Sequence, residues 1–157
     1  MFSKEEAKEI RQLFWHKLEN RTRRLPGQKG KKVKWIFDET SIKGLDLRFD
    51  INRERAIVAI EVNHRSEERR LKLYEKLEAC KGIIENTFGA PLTWDYLYTK
   101  TEGLEVCRVY EEMKPADLYQ QEQWPEVMKF MIDRMLRMEK AFLEVKDFLM
   151  HDELGQQ

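Results

Sequence analysis

The clearest architectural signal in this chain is Leu45-Asp46-Leu47-Arg48-Phe49-Asp50-Ile51, followed across Asn52-Arg53-Glu54-Arg55 by Ala56-Ile57-Val58-Ala59-Ile60-Glu61-Val62. Leucine, phenylalanine and isoleucine alternate with charges in the first run, the period of a strand with one buried face. The second run is apolar on both faces until Glu61, as a central strand covered on each side should be. The short polar turn between them suits an antiparallel hairpin. A further strand is expected at Val33, Trp35 and Phe37, where the period is again two.

Helices flank this sheet. Ser3 is a good N-cap with Glu5 and Glu6 behind it, and Ala7, Ile10, Phe14 and Leu18 recur at helical spacing, so a helix is expected over about 4–20. Ser66 starts a second helix whose stripe is Leu71, Tyr74, Leu77, Lys81, Ile84 and Phe88, stopped by Gly89 and Pro91. Leu92–Thr99 and Leu104–Glu111 read as a second hairpin turning at Thr101-Glu102-Gly103, with Trp94, Tyr96 and Tyr98 on one face. A short helical turn is expected over 116–121. The longest element runs over 124–150, where Trp124, Met128, Met131, Met135, Met138, Phe142, Val145 and Leu149 hold a heptad seam. The order is α-β-β-β-α-β-β-α in a single domain over 1–157. The class is α+β, with an antiparallel-rich sheet of about five strands, packed helices and a long C-terminal helix.

Composition narrows the function. Charged residues are 37% of the chain and hydrophobic residues 41%, enough to build both a core and a dense ionic coat, so whole-chain disorder is excluded. The longest uninterrupted apolar run is Ala56–Ile60, too short to span a bilayer, and Met1–Glu6 lacks the apolar region of a secretory signal. Two cysteines, Cys80 and Cys107, do not make a disulfide scaffold and read as small core residues. A cytoplasmic location without membrane attachment is the expectation.

Net charge is zero overall but unevenly spread. Arg21, Arg23, Arg24, Lys29, Lys31, Lys32 and Lys34 put seven positive charges in one stretch without an acid, whereas residues 101–157 hold thirteen acids against seven bases. Such a basic loop, with Arg65, Arg69 and Arg70, could hold nucleic-acid phosphates, or could be a solvated loop or dock on an acidic helix. Trp94, Tyr96 and Tyr98 could stack unpaired bases, or form the core face of a sheet. The seam Met128, Met131, Met135, Met138 and Phe142 could pack on the sheet or join two copies as a homodimer, and a protein partner is equally compatible.

One constellation could carry chemistry. Asp46, Asp50, Glu61 and Asn63 lie on the hairpin, with His16 and Glu19 near the end of the first helix. A carboxylate on one strand followed by Glu-x-Lys on the next is the metal site of PD-(D/E)XK nucleases, where the lysine steadies attacking water. Asn63 stands at the lysine position and cannot supply that charge; Arg65 or Arg69 could do so from a shifted place. The alternative set is therefore Asp46, Glu61 and Asn63 in a divergent or degenerate nuclease. His16, His64 and His151 show no zinc spacing, and no serine sits in a hydrolase setting, so the leading reading is non-enzymatic, with no metal and no cofactor.

Phe14-Trp15-His16-Lys17-Leu18, the strand pair ending Ala59-Ile60-Glu61-Val62, and Trp94 through Tyr98 resemble a bacterial family, domain of unknown function 4268, over most of the chain. Members of that family are small stand-alone proteins or C-terminal partners of nuclease-like domains. The resemblance implies a bacterial cytosolic protein and loosely suggests DNA-related or defence systems; it implies no activity and no catalytic residues.

Overall fold

The computed structural model describes residues 2–25 and 40–151. Helix α1 spans Lys4–Thr22 and begins on a full capping box: the Ser3 hydroxyl accepts from the Glu6 amide at 3.1 Å, and the Glu6 carboxylate accepts from the Ser3 amide at 2.9 Å. Strands β1 (Leu45–Ile51) and β2 (Ala56–Val62) form the expected hairpin. Asn52 closes its turn by accepting from the Glu54 and Arg55 amides. Then follow α2 (Glu67–Ala79), α3 (Lys81–Phe88), β3 (Thr93–Thr99), β4 (Glu105–Met113) and α4 (Trp124–Met150). The sheet order is β1-β2-β4-β3 and every pairing is antiparallel, so the fold is α+β.

The helices gather on one face of the sheet. Leu45 of β1, Val58, Ile60 and Val62 of β2, and Cys107 and Val109 of β4 join Phe14, Leu18, Tyr74, Leu77 and the α4 seam in one core. The other face carries a smaller cluster of Ile57, Ala59 and Tyr110 with Tyr98. Alternation along β2 explains both memberships, since even and odd residues of a strand point to opposite faces.

The described residues form four strands; the expected strand at Val33, Trp35 and Phe37 lies outside them. Three differences from the sequence reading have local causes. The second helix is two helices: Cys80 leaves helical geometry (φ −102°, ψ 13°) and donates its amide to Leu77 rather than to Lys76, which redirects α3 so that Ile84 and Phe88 enter the core. The helical turn expected over 116–121 is instead a turn through Leu118 and Tyr119, tied to the first hairpin by hydrogen bonds that the Ala116 and Leu118 amides donate to the Glu54 and Asn52 carbonyls; only Gln121–Gln123 form a 3₁₀ turn. Finally, β3 carries a bulge. Asp95 pairs with Arg108 and Tyr98 with Val106, so Tyr96 and Leu97 stand opposite Cys107 alone. The extra residue reverses the face on which later side chains emerge. Trp94 therefore packs with the helices against Tyr74, and Tyr98 lies on the opposite face against Tyr110.

Helix α4 is about 40 Å long at 1.5 Å per residue. Met128, Met131, Met135, Met138 and Phe142 are all buried within the one chain, so the seam weighed as an oligomer interface is core. Its outer face carries exposed Leu136, Leu143 and Met150 at seven-residue spacing. No helix among the described residues is long and apolar enough to cross a membrane.

Candidate functional site

The register of three strands builds an ionic row on the second face. Asp46 pairs with Glu61, and Glu61 pairs with Arg108. Glu61 is fully buried and Arg108 is 2% exposed, so neither charge can rely on water, and each must be satisfied within the fold. Arg108 donates from Nε (3.0 Å) and Nη2 (2.8 Å) to Glu61 Oε1, and from Nη1 (3.1 Å) to Asp50 Oδ2. Glu61 Oε2 accepts from Asn63 Nδ2 at 2.7 Å and lies 3.1 Å from Arg48 Nε and 3.5 Å from Lys100 Nζ. Asn63 also donates to Asp46 Oδ2 at 2.9 Å, bridging the two acids. Behind Arg108, the Tyr98 ring lies 4.4 Å from the guanidinium carbon. Burial pushes the Glu61 carboxyl up, but the Asn63 and Arg108 hydrogen bonds and the charges of Arg108 and Arg48 outweigh it and hold it below the usual carboxylate range.

The fold thus draws Asp46, Glu61 and Asn63 together as the spacing suggested, with Asp50 on the same row. The cations that complete the set are Arg108, Arg48 and Lys100 rather than Arg65 or Arg69. His16 and Glu19 do not join it: they stand on α1, on the helical side of the sheet, near Asn20 and Arg23. The signal that could have revealed Arg108 is its position as a lone charge inside Val106–Tyr110, the counterpart of Glu61 inside Ala56–Val62. What hid it is the helical crossover between the two strands, which leaves their pairing unspecified.

The aromatic set is divided by the bulge. Trp94 is half-buried and donates from Nε1 to Glu85 at 2.9 Å; Tyr98 is enclosed by Arg108, Arg55 and Tyr110; Tyr96 alone is well exposed, at 62%. A continuous stacking ladder of the three is therefore not formed.

With the geometry in place, comparison with known proteins gives one match. The family model described as "Domain of unknown function (DUF4268)" matches residues 10–146. The chain belongs to this family. No curated protein and no solved structure matches.

A second feature of this DUF4268 chain is a cationic end of the sheet. Helix α1 runs opposite to β1: Phe2 meets Tyr119 beside the β1–β2 turn, and Trp15 meets Phe49. Arg21, Arg23 and Arg24 are exposed at the C-terminal end of α1. Lys43, His64, Arg65, Arg69 and Arg70 lie at the end of the sheet where β1 starts and β2 enters α2. The His64 ring packs on Gly44, whose φ is +84° and whose missing Cβ would fall 2.7 Å from His64 Cβ. Its Nδ1 accepts from the amide of Ser66, the α2 N-cap, at 3.0 Å. Burial, then the charges of Arg69, Lys43 and Arg70, hold its pKa below the ordinary histidine value. Glu19 pairs with Arg23 at 3.6 Å and Glu67 with Arg70 at 3.9 Å. Among the described residues, no acid lies within ion-pair distance of Arg21, Arg24, Lys43, Arg65 or Arg69. Lys29, Lys31, Lys32 and Lys34 lie outside the described residues.

Proposed function

We propose that this chain is a non-enzymatic binding module that holds the phosphate backbone of a nucleic acid at its cationic end. The observation that carries the reading is the set of exposed cations with few acids to pair them: Lys43 in the loop before β1 and Arg65 and Arg69 at the start of α2, with Arg21, Arg23 and Arg24 at the α1 C-terminus. Such a field attracts a polyanion by releasing its counterions, and the affinity follows the number of phosphates neutralised. The ionic row supports the non-enzymatic part: the Arg108 fork takes Glu61 Oε1, while Arg48, Asn63 and Lys100 crowd Oε2, so a metal ion would have to displace cations to reach the carboxylate.

The test is fluorescence anisotropy with labelled duplex and single-stranded DNA across a salt series. Binding should weaken linearly on a log–log scale, with a slope of about −4.5 if the five cations without acidic partners each neutralise a phosphate of duplex DNA, at roughly 0.9 per contact. The pair Arg65→Glu and Arg69→Glu together should weaken binding by more than about tenfold and flatten that slope. Unchanged anisotropy at low salt with both DNAs would sink the reading.

A second reading, a divergent PD-(D/E)XK nuclease, is favoured by one observation: Lys100 Nζ, 3.5 Å from Glu61, supplies a positive charge that Asn63 cannot. It requires manganese-dependent cleavage that disappears in Glu61→Gln, whereas a binder keeps its affinity in that variant and ignores the metal.

A further inference from the structure

We propose that binding of a phosphate-bearing anion at the cationic end takes up a proton on His64, so that affinity rises as pH falls. The proposal rests on the binding reading above and adds a regulatory property to the same surface. In the structure Nδ1 of His64 is the acceptor for the Ser66 amide, so the neutral ring carries its hydrogen on Nε2. A proton arriving from solvent can reside only on Nδ1. It turns the acceptor into a donor, breaks the bond to Ser66 and releases an amide at the head of α2, where partial positive charge already gathers.

The surroundings set the direction. From the loop before β1, Lys43 faces the ring; from α2, Arg69 and Arg70 do. Arg70 Nη1 also donates to the His64 carbonyl at 3.0 Å. The acids of the first α2 turn are Glu67, held to Arg70 at 3.9 Å, and Glu68. Three cations therefore oppose a fourth, and the free protein keeps His64 neutral to lower pH than an ordinary histidine. An anion that neutralises Lys43, Arg69 and Arg70 removes that opposition and rewards the imidazolium with a new counter-charge. By linkage, whatever the anion does for the proton the proton does for the anion.

The experiment compares wild type with His64→Asn, using anisotropy of a labelled duplex DNA from about pH 8 to about pH 5. Asparagine is chosen because its side-chain oxygen accepts from the amide two residues on, as His64 Nδ1 does, without titrating and without crowding Gly44. Wild-type affinity should gain about three- to tenfold more than the variant over this range, one extra charge at the site. His16 and His151 are common to both proteins and cancel in the comparison. Parallel pH profiles would overturn the role of His64 while leaving the binding surface standing. No binding at any pH would remove the surface and this inference together. A second measurement needs only wild type: proton NMR titration of His64, whose pKa should rise when inorganic phosphate is added, and an unmoved value would overturn the proposal even if the variant failed to fold.

Discussion

Replacing Arg108 with methionine should cost about 3.5–5 kcal/mol of folding stability. Removing one partner of a buried ion pair leaves the other uncompensated, at roughly 3–5 kcal/mol. The low end applies here because Glu61 would keep Asn63 at 2.7 Å, Arg48 at 3.1 Å and Lys100 at 3.5 Å. Methionine refills much of the aliphatic volume, so little cavity is added, but the stack on Tyr98 is lost at about 0.5–2 kcal/mol. For a chain of this size the loss corresponds to a fall in Tm of about 7–20 °C. Urea unfolding followed by far-UV circular dichroism measures it, with the slope m unchanged if only the native state is affected. The double variant Glu61→Leu with Arg108→Met should recover part of the loss, since removing both charges leaves neither stranded. A single-variant cost below about 1 kcal/mol would refute the reasoning, because it would mean that water already screens the pair. A double variant as costly as the two single variants summed would refute the claim that the row acts as one unit.

Acid should destabilise the wild type through Glu61. Its folded pKa is lowered, so its contribution is present above the unfolded value near about 4.3 and is lost as pH falls through the folded value. Urea midpoints taken below about pH 4 should show a loss that is smaller in Glu61→Gln. Gly44→Ala should destabilise by at least about 1–2 kcal/mol in thermal melts, because alanine meets both the positive φ and the His64 Cβ at 2.7 Å. Cys80 and Cys107 are both buried; burial pushes up the Cys80 thiol, and burial with nearby acids pushes the Cys107 thiol to about 11. A thiol reagent near pH 8 should therefore label the native protein slowly and the urea-unfolded protein at once. Met135→Lys should abolish the cooperative thermal transition, since it places an unpaired ammonium in the centre of the α4 core.

Much of this protein was legible locally. The alternation of Leu45–Ile51 and the apolar run Ala56–Val62 determined two strands and their hairpin, because period and turn length are properties of neighbouring residues. Ser3 and the heptad seam determined the first and last helices in the same way. The spacing of Asp46, Glu61 and Asn63 even brought the acids into one place, since a hairpin's register follows from its turn. The partners of those acids were beyond local reading. Arg108 meets Glu61 only because β4 returns beside β2 after two helices and β3, and no periodicity specifies which strand a distant segment joins. The bulge at Tyr96 and Leu97 likewise arises from pairing with β4, and it alone put Trp94 and Tyr98 on opposite faces. The seam of α4 shows the same division: sequence determined that Met128 through Phe142 form one apolar stripe, while tertiary structure decided that the stripe faces the sheet, because only there is enough complementary apolar surface to bury it.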